Sequence, residues 1–407
     1  MREDRPFGSR VSRWLNNIDT GYLSSGSRTM NFIDEVEQIE RIERLERRYA
    51  SEFGQPPFNV SHWDPSEDFA RKLLPSLVFD TRGDALNYIY SYTTDLHVPV
   101  LRKLGFDPEK KRCLFTPSGT ASMLCAVNWL HLSGVRLLTG WGPLYFPMLY
   151  QSRLCGLSTE VRYLARKDGQ YQAPTTPAER REAAGLWVTN PAYCAGVRLS
   201  EGAVECIRSM LADGCKVVAD ESLVTAGGEI GPELADAQDF VAIYAPHKGI
   251  SVNGLKFSVV IFDREHEALF DQWADVLYGP LNLGCIAAVK HYLSENFTAY
   301  DATFRGEIAK ALSFVRRACL PNGPELDLDP TGHFISIYCS WLDAQRGEDV
   351  AFLWDLTRET GTSVLPGTRN YFDPSFGFCF RINLARDGAQ FRAGIERLCR
   401  FLARTKP

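Results

Sequence analysis

No apolar run in this sequence approaches the ~20 residues that a membrane-spanning helix needs, and the charged start Met1-Arg2-Glu3-Asp4-Arg5 is not followed by a short apolar stretch that would direct export. A membrane role is not expected, and a cytoplasmic location is. None of the eleven cysteines forms a C-x-x-C pair, their number is odd, and most sit in apolar stretches such as Met123-Leu124-Cys125-Ala126. That argues against a disulfide framework and for buried free thiols in a reducing compartment, with no metal site expected. Positive charge is also in short supply. Lys and Arg total 45 against 50 Asp and Glu, a net charge of -5, and the basic residues form no stripe, so nucleic acid is not an expected partner.

What is present is an ordinary packed chain, 45% apolar and 23% charged, whose 407 residues are enough for a large domain and a smaller one. Residues 1–30, with Ser24-Ser25-Gly26-Ser27, read as a flexible arm. Residues 31–75 open with apolar positions Ile33, Val36, Ile39, Ile42 and Leu45 at the spacing of one amphipathic helix. Residues 76–295 contain short apolar runs at 136–139, 185–189, 216–219, 240–244 and 257–262 alternating with helical stretches. This is the order of a mostly parallel sheet covered by helices, with ligands at the carboxyl ends of its strands. Residues 296–407 mix helix and strand patterns and read as a smaller α+β domain.

Four local features carry chemistry. Thr116-Pro117-Ser118-Gly119-Thr120 is a turn leading into a helix, where free backbone amides and hydroxyls suit a phosphate, or simply cap the helix. Val217-Val218-Ala219-Asp220 ends a strand in a carboxylate, able to hold a proton on a pyridine nitrogen or to cap the next helix. Tyr244-Ala245-Pro246-His247-Lys248 places a lysine just past another strand, where a depressed pKa would let it condense with an aldehyde; a surface charge is the plain alternative. Late in the chain Arg381 lies in Phe380-Arg381-Ile382-Asn383.

Taken in that order, the four resemble the aminotransferase-like, fold-type-I enzymes that use pyridoxal 5'-phosphate (PLP), over roughly residues 55 to 405. The resemblance implies that Ser118, Gly119 and Thr120 form the phosphate cup, Asp220 partners the pyridine nitrogen, Lys248 carries the cofactor as a Schiff base, and Arg381 clamps the substrate α-carboxylate. Tyr92 is similar to the tyrosine that reaches a neighbouring subunit's phosphate, which implies a homodimer with shared active sites. Tyr145, with Phe146 the near alternative, corresponds to the ring stacked on the cofactor. His62 and Trp63 lie where the family's N-terminal segment approaches the substrate side chain, unless they only pack. His247 stacks on or bonds the cofactor, or is a core histidine.

The pattern is broken in places. Lys256 stands where the family usually has a phosphate-binding arginine, so charge is kept and the fork is lost. Ala245 replaces a serine, and Leu223 a tyrosine that bonds the cofactor's phenolic oxygen. Asn190-Pro191-Ala192-Tyr193-Cys194-Ala195-Gly196 disturbs the usual Asn-Pro-Thr-Gly and leaves Asn190 and Tyr193 both as candidates for that oxygen. The resemblance implies Schiff-base exchange with an α-amino acid, a small-molecule substrate, and labilisation of its Cα–H, with amino transfer as the default outcome. The alternatives are a specialised-metabolism lyase or synthase of the natural-product kind, acting for example on S-adenosylmethionine, and an oxygen-using oxidase of the arginine-oxidase type, which the segment Asp275–Gly279 faintly resembles. A PLP-sensing regulator is disfavoured, because the first 55 residues lack the strands and positive charge of a winged helix.

Overall fold

The computed structural model describes residues 32–77, 89–175, 183–225, 227–327 and 331–407. The expected arm over residues 1–30 lies outside them. Helix α1 (Phe32–Phe53) follows the predicted spacing: Ile42, Leu45 and Tyr49 are buried, while Glu and Arg pair four residues apart on its outer face. Such exposed pairs contribute only a few tenths of a kcal/mol each, so the buried face is what holds the helix.

Seven strands make the large sheet: β1 (Lys111–Thr116), β2 (Leu137–Gly142), β3 (Ser158–Tyr163), β4 (Ala184–Thr189), β5 (Lys216–Glu221), β6 (Phe240–Tyr244) and β7 (Ser258–Asp263). Their spatial order is β1-β7-β6-β5-β4-β2-β3. Every neighbouring pair is parallel except those made by β7, which runs antiparallel to both β6 and β1. Strands β4, β5 and β6 are buried along almost their whole length, which is why they read in sequence as continuous apolar runs. The carboxyl ends of β1, β5 and β6 therefore lie along one edge, and helix α2 (Gly119–Leu132) starts at that edge directly after β1.

A second sheet is wholly antiparallel, with β8 (Glu325–Leu326), β9 (Phe334–Cys339), β10 (Leu365–Pro366) and β11 (Phe378–Asn383) in the order β8-β9-β11-β10. Helices α3 (Glu295–Cys319) and α5 (Ala389–Ala403) pack together beside it, and α4 (Val350–Thr360) touches both α1 and α5. A parallel pairing of Phe58–Asn59 with Thr362–Ser363 fastens the segment that carries His62 and Trp63 to this smaller layer. The loop 190–196 is tied there as well: Ser336 Oγ donates to Cys194 O at 3.0 Å, and Thr331 N to Gly196 O at 2.7 Å. The architecture is thus α/β, a mostly parallel central sheet with a smaller antiparallel partner.

Candidate active site

At the carboxyl edge of the large sheet lies a cavity of about 270 Å³ that collects most of the sequence candidates. Its first wall is the start of α2. Ser118 is extended and caps the helix, its Oγ accepting from Ala121 N at 3.2 Å. The amides of Gly119 and Thr120, in the first turn, have no intrahelical carbonyl to bond, and a helix of 14 residues adds its dipole there. Beneath the turn the hydroxyls of Thr116, Ser122 and Ser258 run in a chain with 2.8 Å steps that ends on Tyr244 O at 2.7 Å. The turn is therefore locked to β6 and β7.

The second wall is the end of β5. Alternation along the strand sends Asp220 and Glu221 to opposite faces. Asp220 is buried, lines the cavity and accepts from Ser222 N at 3.1 Å through Oδ1. Glu221 faces away and is saturated by Asn190 Nδ2 at 2.6 Å, the amides of Ile230 and Gly231 at 2.8 Å each, and the Tyr244 hydroxyl. Burial pushes its carboxyl up to about 7, and those four donors work against the rise.

The third wall is the helical turn Pro246–Gly249 after β6. Lys248 Nζ lies 5.1 Å from the centres of both the Trp63 and Tyr145 rings. Burial holds its amine below the usual lysine range; the Asp220 charge opposes this, and the charges of Arg381 and Lys256 reinforce it. Trp63, Tyr145 and Lys256 complete the lining together with Asp64, Ser222, Ala245 and Asn253. Arg381, on β11, is buried at the cavity's border: its guanidinium lies 4.4 Å from the Trp63 ring and 5.2 Å from Phe334, and its Nε donates to Ser61 O at 3.1 Å.

Several candidates are placed otherwise. The Asn190 amide is turned onto Glu221 and Gly228 O, with its oxygen taken by Leu199 N, so of the two candidates for the phenolic oxygen only Tyr193 remains beside the cavity, its ring 5.4 Å from Tyr145. His247 points into the core, with Nε2 2.9 Å from His291 Nδ1 and its ring edge-on to Phe257 and Phe297; burial lowers its pKa to about 3. A one-residue step from Lys248 on a tight turn separates core from cavity. His62 is exposed and accepts from Asp64 N at 3.1 Å, outside the lining. Tyr92 is surface-exposed and donates to Asp275 of the same chain at 3.0 Å. Phe146 packs edge-on to Tyr145 at 5.5 Å and is not in the lining.

Asp64, Ser222, Asn253 and Cys194 were not singled out from sequence. Ser222 could have been, since a residue two past an aspartate commonly bonds back to it; the others are brought in only by tertiary packing.

Neither a protein-family profile nor a curated protein sequence matches the chain. Solved structures do. Bna3p of Saccharomyces cerevisiae superposes with a TM-score of 0.72 at 12% identity, covering 94% of this chain and 99% of its own. Aspartate aminotransferase of Thermotoga maritima gives 0.70 at 16% identity, with 93% and 100% covered. An Escherichia coli protein with a methionine aminotransferase function gives 0.69 at 16% identity, again with 93% and 100% covered. The chain has the fold of the class I aminotransferases, fold type I of the PLP enzymes. The match spans both sheets.

Proposed function

We propose that the protein is a PLP-dependent, aminotransferase-like enzyme that acts on an α-amino acid. The observation that carries the proposal is a single cavity in which a helix N-terminus with hydroxyls, a buried carboxylate, an aromatic ring and a desolvated lysine meet. This donor set suits the cofactor group by group. Ser118, Gly119, Thr120, Ser222 and Lys256 would hold the phosphate. Asp220 would hold a proton on the pyridine nitrogen, and Tyr145 would lie against the ring, with Tyr193 beside it near the phenolic oxygen.

When bound, PLP supplies an aldehyde for condensation with amines and an electron-poor ring that accepts charge from the substrate's Cα. The protein's own part begins with Lys248. An exposed lysine is charged at neutral pH, whereas the lowered pKa here leaves a larger share of free amine for attack on the aldehyde and for taking the Cα proton. Arg381 would orient the substrate through its carboxylate, and Trp63 would close the side toward the smaller sheet.

The second reading, a lyase or synthase or an oxygen-using oxidase, draws on the cofactor surroundings. Ala245 offers no hydroxyl, Lys256 is a single cation rather than a fork, and Leu223 is buried with nothing to donate. We also propose a homodimer. Tyr92, Val276, Leu277 and Leu283 leave large apolar groups exposed near the Tyr92–Asp275 contact, and light scattering should give twice the chain mass.

The enzyme reading is tested by adding PLP to the protein and following absorbance. A lysine-bound band should form, survive dialysis and be absent in Lys248→Ala; an identical band in the variant would sink the proposal. Amino acids added one by one then separate the outcomes. Pyridoxamine phosphate marks amino transfer, loss of substrate without it marks elimination or cyclisation, and oxygen uptake with arginine marks oxidation.

A further inference from the structure

Arg381 is a buried cation, and among the described residues no carboxylate lies within 4.0 Å of it. A buried charge without a counter-ion is costly, so its neighbours ask for an anion. Three neighbours now use its nitrogens: Ser61 O, Cys194 Sγ and the Tyr193 hydroxyl. Nε donates to Ser61 O at 3.1 Å, and Nη1 lies 3.2 Å from Cys194 Sγ. The Ser61 contact is fixed, because Ser61 Oγ donates in turn to Arg381 O at 2.6 Å and accepts from Leu365 N at 2.9 Å. The sulfur contact is the one that can yield, since sulfur is a weak acceptor and a carboxylate a strong one.

Cys194 is held in place for that contact. Its φ of +61° lies in the left-handed region that a side chain other than glycine or asparagine rarely adopts, and its carbonyl is anchored by Ser336 Oγ at 3.0 Å. The backbone is therefore pinned, and only the thiol can move. The cavity is adjacent: Arg381 stacks on Trp63, and its charge acts on Lys248 and Tyr145, all three of which line the space.

We infer that Arg381 and Cys194 form one site in which a guanidinium that takes a small carboxylate shares its edge with a nucleophilic thiol, so that Cys194 is where small electrophilic carboxylic acids attach covalently. The inference rests on the reading of Arg381 as the carboxylate-binding group. With iodoacetate the step is a simple displacement. The deprotonated sulfur attacks the methylene carbon, the C–I bond breaks, iodide leaves with the electron pair, and the thiol proton passes to solvent, leaving S-carboxymethylcysteine.

The test treats the native protein with iodoacetate or with uncharged iodoacetamide and measures labelling of each cysteine by peptide mass spectrometry, with half-buried Cys206 as internal reference. The ratio of iodoacetate to iodoacetamide labelling at Cys194 should exceed that at Cys206 at least tenfold, and excess propionate should suppress iodoacetate labelling at Cys194 alone. Arg381→Gln should bring the two ratios together; if that variant does not fold, propionate protection of the wild type carries the decision. Equal ratios at the two cysteines, or no reaction at Cys194 with either reagent, would overturn the inference. Labelling needs no added cofactor. A failure to bind PLP through Lys248 would end the enzyme reading without touching this result, and equal ratios in a protein that does bind PLP would end this inference alone.

Discussion

The Asp220 charge acts on Lys248 across the cavity, and the sign of that effect can be tested. The Asp220 charge raises the Lys248 pKa against the larger effect of burial, so its removal should lower the amine's pKa further. Asp220→Asn should therefore move the pH at which the lysine-bound absorbance forms downward. It should also cut turnover by roughly 10²–10³-fold, the usual cost of losing one directed electrostatic contact at a reacting group. Turnover unchanged within twofold would remove Asp220 from the proposed chemistry. At this scale the cavity positions of Lys248, Asp220, Ser118, Gly119 and Thr120 were legible because each sits at a strand end or turn set locally, whereas Tyr145, Trp63 and Lys256 were reached only through the family resemblance. The side chains of Asn190 and His247 were not. Their direction depends on Glu221 and His291, which lie 31 and 44 residues further on.

Among the elements, β5 shows how one strand serves two faces. Asp220 points to the cavity, and Glu221 knots Asn190, the turn at Ile230 and Gly231, and Tyr244 of β6 behind it. Glu221→Gln keeps the shape but turns an NH₂ toward donors, leaving at least one buried group unpaired. It should cost about 2 kcal/mol of stability, read as a lower denaturant midpoint with unchanged m-value. An unshifted midpoint would mean that the knot does not hold the strand. The inner strands β4, β5 and β6 were readable because burial on both faces demands an unbroken apolar run. Strand β3, Ser-Thr-Glu-Val-Arg-Tyr, was not, since an edge position leaves most of its residues only half-buried or exposed and frees the sequence from that demand.

For the whole molecule, the histidines weaken the fold toward acid, while Glu221 and Asp327, both pushed up to about 7 by burial, act in the opposite sense. His247 and His333 are buried and His97 is half-buried, and desolvation lowers the pKa values of His97, His247 and His333 to about 4, 3 and 3 from an unfolded 6.5. Between those limits the unfolded chain binds protons that the folded one refuses, so each histidine makes stability rise with pH and fall as pH drops below 6.5, by about 1.4 kcal/mol per pH unit. His333→Asn should lower the slope of unfolding free energy against pH between 4.5 and 6 by about one proton, measured by urea titration. An unaltered slope would show that His333 titrates freely when folded. Its Nδ1 lies 3.0 Å from Gly249 O, next to Lys248, so the same acid limb reaches the site.

Strand β7 also governs when the site can come into being. Its insertion between β6 and β1 means that Thr116, at the head of the turn proposed to hold the phosphate, has Ser258 as its neighbour across the sheet, so the earliest strand of the sheet waits for the latest. A chain emerging from the ribosome can pair β2, β4, β5 and β6 as they appear, yet the Ser118 turn stays unmoored from Asp220 and Lys248 until residues 258–263 have been made. Closing so long a loop is slow. Assembly of the cavity should thus be a late, all-at-once event in biosynthesis, and nascent chains ending before Ser258 should fail to retain the cofactor.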